Sequence, residues 1–394
     1  MKHLLTTSIS SAFFVLLLSP PMTEVAGFAQ ATSDQRPIVS ADQDPAFLGE
    51  AGVGAINRYQ AAVRQELLQE KYEQLEKLSA ELRRSKARFP GGAWKLNKFY
   101  QGLNRPVDEG NVSEQAWINY LPKLQKWVAK YPTSVTAQVA LGTAYLEYAW
   151  SARGLGFADT VTEEGWRLHR ERLLKARKIL EEARQLPEKC PHGYAAMETI
   201  AMAQGWERAD FEKLFEEAIA YEPQYHYFFT YKANYLLPRW HGEPGDVEKF
   251  ADETTRRQGG EYGSILYYLI VSEVADTYRS KTFSDTTFTW PRAKRGFQDL
   301  ETKFGLNASH INGYCRMAGW AGDRQTALEM LNRIGDRWDP SEWGTRKNFE
   351  EFKAWADQSS RKSMLMRFWM VPIMAMTLVA LVWYRIAKRR SQPA

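Results

Sequence analysis

The feature that most restricts how this chain can fold is a helical spacing of apolar residues, broken at short intervals by Gly, Pro and Asp. It runs from about residue 55 to about residue 335. Ile56, Tyr59, Val63 and Leu67 recur at three and four, and Tyr72, Leu75, Leu78 and Leu82 repeat the pattern after Gln69-Glu70-Lys71. This spacing puts the apolar side chains on one face of an α-helix. Pro90-Gly91-Gly92 reads as the end of that element. Antiparallel helix pairs are expected beyond it. One helix follows Pro132 with Ala137, Ala140, Leu141, Gly142 and Tyr145. After a loop around residues 154–164, another carries Leu173, Ala176, Leu180 and Ala183. A pair over 193–204 and 210–221 closes at Glu222-Pro223, and a last pair turns at Gly322-Asp323 before Ala327, Met330, Leu331 and Ile334. Strand signal is scarce, so the expected fold class is all-α.

The order of small and large residues within these pairs looks like a tetratricopeptide-type array. There, Gly and Ala let two helices cross closely, large residues fill the gaps, and a Pro ends the second helix. Gly142 with Tyr145, then Ala176, Leu180 and Ala183, match that alternation, with an insertion splitting the pair. Phe211, Phe215, Ala218 and Pro223 match the second half of a repeat. Several positions depart from the pattern, so the expected superhelix is degenerate, and an irregular helical bundle is the competing reading. Glu147-Tyr148-Ala149-Trp150-Ser151-Ala152-Arg153-Gly154, followed by Val161-Thr162-Glu163-Glu164-Gly165-Trp166, is one distinctive stretch. Ala233-Asn234-Tyr235-Leu236-Leu237-Pro238-Arg239-Trp240-His241-Gly242 is another. Together they resemble a bacterial family of unknown function with a tetratricopeptide-like helical domain, over roughly residues 55–350. The resemblance implies a helical domain in a bacterial protein, and no catalytic residue or substrate.

The two ends carry membrane signals. Met1-Lys2-His3 is followed by an apolar stretch ending in Val15-Leu16-Leu17-Leu18, then Ser19-Pro20-Pro21, then the small-x-small triplet Ala29-Gln30-Ala31. That order predicts a secretory signal peptide over 1–31, with an uncleaved anchor as the alternative. Residues 32–54 read as a flexible lead-in and 351–367 as a juxtamembrane segment. Phe368 to Tyr384 is a charge-free run of 17 residues with Trp369, Trp383 and Tyr384 at its edges. It predicts a transmembrane helix over 368–386 and a short tail over 387–394. Arg385, Lys388, Arg389 and Arg390 follow the span, which orients the tail to the cytoplasm and residues 32–367 outside it.

Those four residues account for most of the formal net charge of +5. The body is close to neutral and lacks the basic footprint of a nucleic-acid binder. Two Cys exclude a disulfide framework and an all-cysteine zinc site of four ligands. Cys190 and Cys315 are expected as two free, buried thiols, because in a linear array they stand several repeats apart. The six His show no helical zinc spacing, and no nucleophile elbow occurs. No metal, cofactor or enzymatic activity is expected. The charged helix from Glu163 to Arg184 reads as a solvated face.

The loop Leu237–Asp246 stands out, because two Pro and two Gly stiffen it between helices. Arg239, Trp240 and His241 offer a cation, an indole face and an imidazole to a carboxylate or peptide. The alternative has Trp240 in the core and Arg239 at a helix C-terminus. Trp166 marks a second aromatic loop. The functional expectation is a membrane-anchored, extracytoplasmic scaffold for a protein or peptide partner. The rival is a binder of a small ligand or envelope polymer at the loops of Trp166 and Trp240.

Overall fold

A computed structural model describes residues 53–107, 112–154, 156 and 158–357. The segments read as a signal peptide, as a membrane span and as its tail, with nearly all of the expected lead-in, lie outside the described residues. Among the described residues no helix is long and apolar enough to cross a membrane.

The described chain is all-helical, with one isolated bridge between Arg88 and Trp94 and no strand among these residues. The helices are α1 (Val53–Leu68), α2 (Tyr72–Ser85), α3 (Lys95–Leu103), α4 (Glu114–Lys130), α5 (Val135–Arg153), α6 (Glu163–Gln185), α7 (Pro191–Gln204), α8 (Arg208–Tyr221), α9 (Tyr227–Tyr235), α10 (Asp246–Gln258), α11 (Gly260–Tyr278), α12 (Trp290–Phe304), α13 (Ala308–Trp320), α14 (Arg324–Ile334) and α15 (Pro340–Trp343). A further helix occupies residues 346–357.

Local chemistry sets many of these boundaries. Ser113, Ser134, Thr162, Asn307 and Asp323 each accept a backbone N–H in the first turn of the helix they precede. Pro191 opens α7, where its missing N–H is not needed. Gly205 closes α7 in the left-handed conformation, φ 65°. The burial pattern then tells the helices apart. On α6, Gly165, His169, Arg172, Leu173, Ala176, Leu180 and Ala183 are buried, and the other side carries ion pairs such as Arg167–Glu171 and Lys175–Glu171. α5 and α11 bury residues on every side, as fits helices held between neighbours.

Packing follows a simple rule. α3, α5, α7, α9, α11 and α13 contact one another in that order and form a first row. The helix after each of α5, α7, α9, α11 and α13 packs back on it, so α6, α8, α10, α12 and α14 form a second row. α5 crosses α6 closely at Gly142, where an added Cβ would meet Leu180 Cγ at 2.6 Å. Ion pairs tie the second row across next-but-one helices. Arg184 pairs with Glu217, Arg208 with Asp246 (2.9 Å), Arg257 with Glu216 (2.6 Å), Arg292 with Asp252 (2.5 Å) and Arg333 with Glu301 (2.6 Å).

The first sequence element ends earlier than its punctuation implied. α2 stops at Ser85, with Lys86 left-handed at φ 53°. Pro90-Gly91-Gly92 belongs instead to a loop over 86–94 that reaches the far end of the array. Gly91 N–H donates to Phe304 O (3.2 Å) and Asn307 Nδ2 to Pro90 O (3.3 Å). The Arg88 guanidinium lies over Trp94 (4.5 Å) and Phe304 (4.6 Å) and donates to Gln224 O. Lys86 pairs with Glu222 at 2.7 Å. One loop therefore joins the start of α3, the turn before α9 and the start of α13.

Cys190 and Cys315 are both free and buried. The Cys190 thiol lies 3.3 Å from Tyr100 OH and the Cys315 thiol 3.5 Å from Ala327 O. Burial pushes both thiols up, Cys315 to about 12.

Candidate functional site

The loop over 86–94 ties the start of α3 to the start of α13, the first and last helices of the row. Polar side chains of successive helices in this row keep part of their surface open. Lys98 of α3, Glu147 of α5, Tyr231 of α9, Asp276 of α11 and His310 of α13 are half-buried, and Glu273 of α11 is exposed. Burial nevertheless pulls the Lys98 amine down to about 8 and pushes the Glu147 and Glu273 carboxyls up to about 7.

An ion ladder crosses this row. Glu273 accepts from the Asn234 amide on α9. Arg316 of α13 pairs with Asp276 at 2.6 Å and with Glu342 at 3.0 Å, and donates to Glu342 O at 2.7 Å. Burial still pushes the Glu342 carboxyl to about 7 against the pull of Arg316. Glu198 of α7, 1% exposed, has neither carboxylate oxygen hydrogen-bonded. Burial holds its carboxyl well above the usual carboxylate range, against the pull of Lys232.

The loop singled out in the sequence splits between two roles. Arg239 donates to Asn234 Oδ1 (3.4 Å) and sits in the field of Glu273 and Asp276, which places it on the ladder. Burial lowers its pKa against the pull of those carboxylates. The His241 Nε2 atom is 2.7 Å from Met202 O in the last turn of α7, and its ring lies 5.0 Å from Tyr235. His241 therefore satisfies a helix C-terminus, the role the sequence alternative gave to Arg239. Trp240 is half-buried against the core, and its indole N–H is buried with no acceptor. Trp166 opens α6, edge-on to His169 at 5.8 Å and under Arg153 at 5.5 Å. The structure brings Arg239, Trp240 and His241 onto one turn, while the ring and cation contacts of Trp166 are all with the α5–α6 hairpin.

Sequence reading missed Lys98, Glu147 and Glu273. A usable signal existed for Glu147, the one carboxylate of α5, a helix that is apolar almost throughout. Lys98 had no such mark, because α3 is short and its neighbours are mixed.

An open groove of about 590 Å³ between α8, α9 and α10 is lined by Arg208, Lys232, Arg257, Glu212, Glu216 and apolar Phe250 among others. Its charges answer one another: Lys232 pairs with Glu212, Arg208 with Glu212 and Asp246, and Arg257 with Glu216. Among the described residues no group of three or more His, Cys, Asp or Glu is arranged to hold a metal ion. Compared with known proteins, the chain matches no family model, no curated protein and no solved structure.

Proposed function

We propose that this chain is a membrane-anchored, extracytoplasmic scaffold whose helical-repeat body binds a protein or peptide partner on the inner wall of the first row. The reading includes a degenerate tetratricopeptide-like superhelix over residues 55–350, kinship with the bacterial family it resembles, an N-terminal export signal and a tether over 368–386. One feature supports it: α3, α5, α7, α9, α11 and α13 contact one another in turn, and the loop over 86–94 ties the first of them to the last. Extended concave surfaces serve macromolecular recognition in helical-repeat proteins. Two details support the repeat character. The ion pairs of the second row recur at sequence separations of 33, 38, 41, 40 and 32 residues. Gly142 and Leu180, expected at a close crossing, meet at one. On the wall, Glu273, Asp276 and Arg239 offer both signs of charge beside Tyr231, a mixture suited to a peptide backbone and its polar side chains.

The test is crosslinking in living cells. A photoreactive amino acid is placed in the full-length chain at Tyr231 or Glu273 on the wall, and at exposed Leu174 on α6 as the control. One discrete adduct is expected from the wall positions and none from Leu174. Adducts only at Leu174, or none anywhere, defeat the proposal.

A further inference from the structure

We propose that Arg316, Asp276 and Glu342 form a pH-sensitive latch that fastens the short helix α15 to α11 and α13 and loosens as the medium turns from acid to alkaline. The latch goes beyond the scaffold reading and does not depend on it.

Three elements meet at one guanidinium. Arg316 stands on α13, Asp276 on α11 and Glu342 on α15. A single nitrogen, Arg316 Nη2, reaches both acids, 2.6 Å from Asp276 Oδ1 and 3.0 Å from Glu342 Oε2. Arg316 Nη1 donates to the Glu342 backbone O at 2.7 Å. Asp339 precedes α15, and its carboxylate accepts from the Ser341 N–H (2.9 Å) and hydroxyl (2.6 Å). On the α11 side Arg239 also attracts Asp276. The other polar groups facing Glu342 are the Ser309 hydroxyl of α13, which donates to it, and the Tyr268 phenol of α11. Gly313 makes room for the carboxylate, since an added Cβ there would meet both oxygens at 3.3 Å. From the helix over 346–357, Asn348, Phe349 and Phe352 reach α15, and these contacts are uncharged.

With both acids ionised, Asp276 and Glu342 compete for one nitrogen and repel each other where Glu342 is half-buried. A proton on Glu342 removes the repulsion and leaves Arg316 to Asp276. Burial acts in the same direction and, against the pull of Arg316, pushes the Glu342 carboxyl up to about 7. When α15 lets go, that carboxyl returns toward 4.5. The docked helix therefore has the full benefit of the proton below 4.5 and loses it as the pH rises through about 7. α15 is the member that gives way, because it has four residues against 19 in α11 and 13 in α13. Its other polar ties to α13 converge on Asn312 Oδ1, which accepts from the Trp343 indole at 2.7 Å and the Asp339 N–H at 3.2 Å.

Hydrogen exchange of the full-length chain in detergent, read by mass spectrometry and corrected for the intrinsic rate at each pH, tests the latch. The Trp343 and Gly344 N–H groups, which donate to Asp339 O (3.1 Å) and Pro340 O (2.8 Å), report on α15, with α12 as the reference. Protection of α15 relative to α12 should fall about tenfold between about pH 6 and about pH 8. Glu342→Gln should hold it constant over that range. Asp276→Asn, which leaves Arg316 to Glu342, should move the fall to lower pH. Protection that ignores pH in the unsubstituted chain, a fall shared equally by α12, or an undiminished fall in Glu342→Gln overturns the latch. If Glu342→Gln does not fold, Asp276→Asn decides, and an unmoved transition overturns the proposal.

Discussion

Asp323 and Glu147 are both carboxyls in a helical body, yet their surroundings drive them in opposite directions. Burial alone would raise Asp323, but the Thr326 N–H (3.0 Å), Thr326 Oγ1 (2.7 Å), Trp290 Nε1 (2.9 Å) and Lys294 Nζ (3.2 Å) donate to it and hold it well below the usual range. Glu147 is raised by burial to about 7, with the Arg105 charge opposing. The folded chain therefore keeps a proton on Glu147 that the unfolded chain releases above 4.5. That contribution to stability is present below 4.5 and is lost as pH rises through about 7. The depressed His192 and His310 act oppositely, favouring the fold above 6.5 and losing that effect as pH falls toward 3 and 4. Comparison with Glu147→Gln isolates the carboxyl, because the histidines are common to both. Between about pH 5 and about pH 8 the unsubstituted chain should lose more urea stability than Glu147→Gln. Parallel pH profiles would show that Glu147 titrates as an ordinary surface acid. The sequence contains both carboxyls, but it cannot show which one will meet four donors and which will meet none.

At the scale of the element, the helices were largely legible because each reports its own environment. α6 alternates buried and charged positions at helical spacing, so its solvated face could be read from the chain, and the pairs Arg167–Glu171 and Arg177–Glu181 lie on it. The pair read over 193–204 and 210–221, closed at Glu222-Pro223, runs over Pro191–Gln204 and Arg208–Tyr221, so each helix starts two residues earlier than read. Ala218, placed by its pattern at a close crossing, is fully buried on α8. Ala218→Arg forces a charge into that contact and should cost about 3 kcal/mol or more, read as a lower urea midpoint. An unchanged midpoint would mean that the α8 face is loosely packed. The end of α2 was misplaced because Pro90-Gly91-Gly92 is strong punctuation, while the actual stop is a left-handed lysine that carries no sequence mark.

For the whole molecule, the decisive contact spans 217 residues, from Pro90 to Asn307. It ties the start of α3 to the start of α13, the two ends of the first row. Gly91 is the residue this closure requires. Its φ is +88°, and an added Cβ would meet the His310 ring at 2.5 Å. Gly91→Val should cost roughly 2–3 kcal/mol through backbone strain and steric conflict together. Far-ultraviolet helix content should persist, because the two rows do not pass through the loop. Near-ultraviolet dichroism from Trp94 and Tyr225, whose rings meet at 5.0 Å, should weaken. An unaltered melt and aromatic spectrum would show that the ends hold together without this loop.

Periodicity and punctuation are local, and the energy of a helix is set largely by neighbours three and four residues away. That is why the chain by itself determined the all-α class, the α7–α8 pair to within two residues and the solvated face of α6. Which loop closes on which helix depends on contacts between residues hundreds of positions apart, and local spacing carries no trace of them. Desolvation has the same character: Lys98 and Glu273 carry no mark in the sequence, and only the protein gathered around them shifts their protons. The tertiary structure alone decided that Arg239 meets Asn234 and that His241 holds a helix end.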